Sequence, residues 1–514
     1  MKNLLLTLML TLIGVPQLAW GQVSPSEAGA KPSVVIQAPK PLAPQATAKF
    51  YSQQTEKRIW TEPANFQALI QALEGLDAHG LSSAHYHLTA LKSLPEGDDR
   101  DRLATDAWFS AAAHMLYGKL NPISLEPDWT AARREADLPL ALTKALSENS
   151  ILESLEAFAP KQASYTALKA ELAALKLEAQ KPQTRIALGE ALKASMQNDR
   201  VSSLQARLIE LGYLPDAAQN GIMDEQTVDA VKAFQRASEL DDDGVAGPAT
   251  VKALNRGYTD KINQLRLNME RWRWLPEDLG KRHLRANIAA FTVEAWNNGS
   301  IERTHLTIVG KPYRKTPVFS DSVEYLVINP WWETPHSLAT RDKLPLFRKD
   351  PAAVKRLGFQ ILDRSGNIVS SDTIDWNAVS PSQFPYRIRQ APGDQNALGQ
   401  VKIMFPNIHN VYLHDTPTRG LFSQRQRAFS SGCLRTENPL DLAAWLMSGT
   451  EWTREKIDNV VANGKETRIT LPQTVPVHIL YFTAVSEGDA GIRYLDDIYD
   501  RDAKVLAALD SKPS

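Results

Sequence analysis

Apolar residues along the chain change their spacing twice, and each change marks a different kind of structure. From about residue 50 to 197 the period is helical: Phe66, Leu69, Ile70, Leu73 and Leu76 share one face, as do Tyr165, Leu168, Leu172 and Leu175. That is the signature of amphipathic helices in an all-α unit. A compact stretch follows at 198–258, where Leu204, Leu208 and Leu211, then Val228, Val231 and Phe234, predict short helices separated by Gly-rich turns. After Lys261 the period drops to two. Phe291, Val293 and Ala295 alternate, as do Leu306 and Ile308, Val401, Ile403 and Phe405, and finally Val475, Val477, Ile479 and Tyr481. Strands are therefore predicted across a third unit at 259–485. Residues 331–390 interrupt it with several prolines and a helix predicted near 351–357, a loop-rich excursion of the length that forms a lid or a binding wall. A helical tail is predicted at 486–514.

The two ends of the pattern are different again. Lys2, an apolar run from Leu4 to Val15, Pro16 and the small-residue site at Ala19-Trp20-Gly21 read as a signal peptide over 1–21, cleaved before Gln22. An uncleaved anchor reaching Trp20 is the alternative, since the run is short for a span of about 20 residues. No Cys stands at the cleavage site for lipid attachment. Residues 22–49 are rich in Pro, Ala, Ser and Lys and carry too little apolar area to fold, so a disordered tether is expected.

Composition narrows the function. The 514 residues are 43% hydrophobic, enough for about three folded units. The 58 basic and 59 acidic side chains leave a net charge of -1, which argues against nucleic-acid binding by counterion release. A single cysteine, Cys433, excludes an intramolecular disulfide. His79, His85 and His87 lie close together, but without an HExxH or a Cys pair they predict no metal site. The run Asp241-Asp242-Asp243-Gly244 lacks the ligand spacing of a calcium loop and reads as a solvated turn.

One constellation carries chemistry. With residues 410–415 as a strand, Val411 and Leu413 face one side while Tyr412 and His414 face the other. Cys433 follows Gly432, sits in the polar frame of Ser430, Ser431 and Arg435, and approaches a helix expected to open at Asn438-Pro439. A free thiol, with a pKa of about 8.5, needs a base or a positive field to act as a nucleophile. His414 supplies the first and Arg435 the second.

The spacing His414, then Ser430-Ser431-Gly432-Cys433-Leu434-Arg435, resembles the signature of the L,D-transpeptidase catalytic domain, also called YkuD. The stretch 198–258 resembles a three-helix peptidoglycan-binding module through Leu211-Gly212-Tyr213, Asp243-Gly244 and Gly247. Further similarity lies in NMERWRWLP (268–276), IVGKPYRKTPVF (308–319), INPWWETP (328–335), PGDQNALGQVKIMFPN (392–407) and YFTAV (481–485). The resemblance is to large periplasmic members, and it implies a multidomain α+β protein. Such a protein has an all-α scaffold, the small binding module and a mostly β catalytic domain, a YkuD-like β-sandwich bearing the lid.

It implies acyl transfer in the periplasm, with Cys433 attacking the third residue of a tetrapeptide stem of peptidoglycan, D-alanine leaving and His414 moving the protons. The product is a cross-link between two third-position residues. Backbone N–H groups around Gly432 and Cys433, with Ser431, would supply the oxyanion site; Arg435 would hold a carboxylate; Tyr412, Trp331 and Trp332 would line the cleft. Wall synthases and carboxypeptidases are the implied partners, and no cofactor or metal is expected. The family often has His where Ser431 stands, so no role passes from that position.

Competing readings are weaker on the residues. Ala428 to Gly432 approximates a nucleophile elbow, but the preceding segment 423–427 is polar throughout rather than a buried strand. Neither Ser-x-x-Lys nor HExxH occurs. An L,D-carboxypeptidase, or a wall-binding protein with an inert domain, remains as the alternative.

Overall fold

The computed structural model describes residue 40 and residues 42–512, Glu239 excepted. The expected signal peptide and most of the expected tether lie outside the described residues. The tether gives way earlier than its composition suggests: a helix runs over Pro44–Ser52, with Phe50 buried and the N–H groups of Leu42 and Ala43 both donating to Asp106.

The N-terminal region is helical. Pro63–Gly75 and Asp98–Tyr117 pack around Leu69, Leu73, Trp108 and Phe109. The last predicted scaffold helix behaves differently. Ala163–Glu178 buries Tyr165, Leu168, Leu172 and Leu175 as expected, yet against the core of the β domain, through the helix Tyr258–Arg273. At that junction Arg273 and Glu270 form a fully buried pair, and Arg273 also donates to Tyr165 Oη and to the carbonyl of His79.

The small unit contains the helices Asp199–Glu210, Glu225–Ala237 and Pro248–Leu254 around a closed apolar cluster. It draws in chain that precedes residue 198: Leu192 bridges Ala246, and Ile186 and Leu192 join the cluster.

The β domain is one nine-stranded sheet. Its strands are β1 (Arg282–Asn287), β2 (Thr292–Asn297), β3 (Ser300–Gly310), β4 (Phe319–Ile328), β5 (Val401–Met404), β6 (Leu413–His414), β7 (Ala428–Ser430), β8 (Leu434–Thr436) and β9 (Thr467–Leu480). Their order is β7-β3-β8-β6-β5-β4-β9-β1-β2, and β2 pairs again with β3, so the hydrogen bonding returns to its start. The helical N-terminal region and the sheet-rich C-terminal domain are as the sequence led one to expect.

The insertion is not the loop-rich excursion its prolines imply. It holds a second sheet of four strands, including Trp332–Glu333, Phe359–Leu362 and Arg387–Gln390. Its own core contains Leu344, Phe347, Phe359, Trp376 and Ile388. Strands of two to four residues are too short to show a period. The C-terminal segment likewise is more than a helical tail: Ala484–Ser486 pairs with Ile492–Tyr494, and the helix Asp502–Asp510 carries Leu509 into the scaffold core. Among the described residues no helix is long and apolar enough to cross a membrane.

Candidate active site

The site is assembled by strand register. β6 lies between β5 and β8, with Leu413 beside Ile403 on one side and Leu434 on the other, all three fully buried. One residue on, His414 pairs with Lys402 of β5 and Arg435 of β8. Side chains of paired residues share a face, so Lys402, His414 and Arg435 form a row across three strands. The Leu434 N–H donates to the Tyr412 carbonyl at 3.2 Å, which extends the register and sets Cys433 beside Tyr412 in the next row. Asn407 holds the turn that delivers this segment, accepting from the N–H groups of His409 and Val411 and donating to the carbonyls of Phe405 and Val411.

His414 is buried, and its Nδ1 lies 2.5 Å from the carbonyl of Asp415. A carbonyl only accepts, so Nδ1 carries the proton and Nε2 keeps its lone pair. Burial first, then the Arg435 charge, push the imidazole down to about 3, so it is neutral across the physiological range. Burial pushes the Cys433 thiol up; the Tyr412 N–H, Lys402, the Tyr412 hydroxyl and Arg435 pull the other way without overcoming it. At rest the pair is thus a protonated thiol and a neutral imidazole. The thiol donates to the Asn410 carbonyl at 3.6 Å, and no hydrogen bond joins it to the His414 ring among the described residues. Proton exchange between them requires the thiol to turn from Asn410.

The other predicted residues fall in three groups. Tyr412 lies beside Cys433 in the strand register and packs against the apolar core of the insertion. Trp332 itself is buried in the core of the insertion, so it backs the site through Tyr412. Trp331 faces elsewhere, with the Arg389 guanidinium 4.5 Å from its ring centroid and its N–H donating to Glu466. Arg435 is half-buried, has its Nε without a partner and donates only weakly to Thr418 Oγ1, at 3.4 Å.

Ser431 is exposed and accepts from Arg314, which also forks onto Asp342 of the insertion at 2.8 and 2.9 Å. Gly432 has φ of +122°, a conformation that favours glycine. Its N–H donates to Ser430 Oγ at 3.1 Å. Cys433 is followed directly by β8, and the helix starts only at Pro439, so no helix N-terminus acts on the sulfur. The three clustered histidines go to separate partners: His79 to Glu156 and Tyr165, His85 to Lys119, His87 to Asp106.

Sequence reasoning missed Lys402 and Lys343. Lys402 sits opposite His414, its Nζ 4.2 Å from the Tyr412 ring centroid. The alternation of Val401 and Ile403 already put Lys402 on the polar face, but β5 and β6 are far enough apart in sequence to hide their pairing. Lys343, from the insertion, lies over Trp332 at 5.0 Å and has its ammonium disfavoured by burial, with Arg435 adding to the effect.

Three segments of the chain match known protein families. Residues 281–461 match the L,D-transpeptidase catalytic domain, residues 197–254 a putative peptidoglycan binding domain and residues 45–172 a scaffold domain. Over residues 281–461 the chain thus carries an L,D-transpeptidase catalytic domain of the YkuD type. A putative L,D-transpeptidase of Haemophilus influenzae is 36% identical over 245 residues, which make up 48% of this chain and 49% of that protein. The chain thus matches about half the length of that curated relative. The N-acetylmuramoyl-L-alanine amidase CwlL of Bacillus licheniformis is 41% identical over 73 residues, 14% of this chain and 20% of that one. Among solved structures, the L,D-transpeptidase of Xylanimonas cellulosilytica shares 16% identity and covers 58% of this chain and 100% of its own, with a TM-score of 0.17. That of Stackebrandtia nassauensis shares 11%, covering 58% and 97%, with a TM-score of 0.20.

Proposed function

We propose that the protein is an acyltransferase that forms third-to-third cross-links in peptidoglycan through a Cys433 thioester. The observation that carries this reading is the strand register, which sets the thiol beside a row made of a neutral, tautomer-fixed histidine and two cations.

In the first step His414 Nε2 takes the thiol proton as Sγ bonds to the carbonyl carbon of the third stem residue. The carbon–nitrogen bond to D-alanine then breaks, and the imidazolium returns the proton to the leaving amine. In the second step the side-chain amine of another stem attacks the thioester carbonyl, loses a proton to His414, and the sulfur leaves to be reprotonated. Lys402 and Arg435 stabilise the transient thiolate. With Lys343 they also make a cationic surround suited to the carboxylates of peptide stems, and the unpartnered Arg435 Nε offers one such donor. The binding module would hold the enzyme on the wall, and the signal peptide would bring it to the periplasm.

Intact-mass spectrometry after incubation with a disaccharide tetrapeptide tests the reading. The expected species is a thioester adduct on Cys433 with loss of D-alanine, followed by a cross-linked dimer. An adduct on any other residue, or none in the wild-type protein, would refute it.

A further inference from the structure

The N–H of Gly432 is occupied, so the oxyanion that forms in each acyl-transfer step needs a different donor. The backbone groups flanking the Cys433 N–H are held in place. Ser430 Oγ accepts from the Gly432 N–H at 3.1 Å and donates to the Cys433 carbonyl at 2.6 Å. The Gly432 carbonyl accepts from Thr316 Oγ1 at 2.9 Å. The Cys433 N–H is left without an acceptor among the described residues, directly beside the nucleophile.

That free N–H and the Gly432 carbonyl belong to one peptide unit. A trans peptide is planar, with N–H and C=O pointing in opposite directions. Whatever fixes the carbonyl therefore aims the N–H. Thr316 is fully buried, so its grip on the carbonyl turns the N–H away from the interior. Gly432 itself cannot supply this order: at φ of +122° it is free of the steric limits that hold other residues, and a Cβ there would meet nothing closer than 3.7 Å.

Thr316 is in turn held at both its hydroxyl and its N–H. Its Oγ1 accepts from the Gly310 N–H at 2.9 Å, and its own N–H donates to Tyr499 Oη at 3.2 Å. Tyr499 Oη donates back to the Gly310 carbonyl at 2.6 Å. Gly310 approaches so closely that a Cβ would lie 2.1 Å from the Arg314 carbonyl. Pro317 follows, which keeps Thr316 out of the helical region. The hydroxyl is thus a fixed point in the turn between β3 and β4, anchored from the C-terminal segment.

We propose that Thr316 is a positioning residue for acyl transfer, clamping the Gly432 carbonyl so that the Cys433 N–H is presented as an oxyanion donor. Tyr499 supports it from behind. The inference rests on the acyl-transfer reading above, and a probe that does not depend on the natural substrate separates the two.

The test compares two reactions of the same thiol in Thr316→Val, Thr316→Ser and Tyr499→Phe proteins whose melting is checked beforehand. Acylation by p-nitrophenyl acetate forms an Sγ–C bond at a carbonyl and breaks the ester C–O bond. The thiol proton passes to His414, and p-nitrophenolate leaves as a measurable burst; a tetrahedral oxyanion must form on the way. Alkylation by iodoacetamide displaces iodide at a saturated carbon and needs no such donor.

Thr316→Val is expected to slow acylation about 10- to 100-fold, with the loss in kcat rather than KM. Its alkylation should stay within about twofold. Thr316→Ser should recover most of the acylation rate, and Tyr499→Phe should show a smaller loss in the same direction. The proposal is overturned if Thr316→Val acylates like the wild type, if Thr316→Ser fails to recover, or if alkylation falls in parallel with acylation. A wild-type protein that acylates from the ester but never from a tetrapeptide stem would sink the proposed function and leave this inference standing.

Discussion

The binding module and the last helix assigned to the scaffold show two opposite ways of joining units in one chain. The module closes its apolar cluster on itself and fixes its two turns with buried glutamines. Gln205 holds Asn220, Gly221, Ile222 and Thr227; Gln235 holds Asp243, Gly244, Val245 and Thr250 in the same manner. Helix Ala163–Glu178 instead gives its whole apolar face to the catalytic domain. Sequence proximity groups that helix with the scaffold, whereas buried area groups it with the β domain. The module keeps its apolar cluster to itself, and the scaffold boundary runs through a shared core.

This contrast can be broken by experiments of decreasing size. Cys433→Ala should abolish cross-linking, a loss of at least about 10⁴-fold, while pelleting with sacculi, the role proposed for the module, stays unchanged. Leu172→Ala should cost about 2–5 kcal/mol and lower the main calorimetric transition without moving that of the module; a shift of the module's transition would show that the units are coupled. Gln205→Ala should do the reverse, costing the module about 1–3 kcal/mol and weakening sacculus binding, with turnover of soluble muropeptides intact.

Acid sharpens the same line. Burial pushes His114 and His414 down to about 3 and His283 to about 4. Below their usual value of about 6.5 the unfolded chain takes up protons that the folded one refuses, so stability falls as pH drops, by up to about 1.4 kcal/mol per pH unit for each histidine. None of the histidines lies in 198–258. Between pH 6.5 and 5 the main melting temperature should decline while the module's holds steady, and parallel declines would contradict the assignment.

What the sequence disclosed depends on the range of the signal. Helical faces, the Gly-rich module and the alternation around Leu413 are local and were legible, as was a thiol framed by polar residues. Lys402 beside His414, Thr316 behind Gly432 and the closure of β2 onto β3 depend on pairing between distant segments, which no single stretch of sequence encodes. The insertion hid its sheet in strands too short to display a period. The hydroxyl of Ser430, which accepts from the Gly432 N–H, was hidden for a different reason, since it acts through geometry rather than spacing.

The insertion leaves the sheet after Ile328 and returns at Val401, two residues that pair directly, with the Asn329 N–H donating to the Gln400 carbonyl. The host strands therefore form an ordinary hairpin whose turn has been replaced by a folded guest with its own core. Evolution, or a designer, can exchange that guest for another of different shape, altering what reaches the sulfur while the pairing of the host strands stays the same.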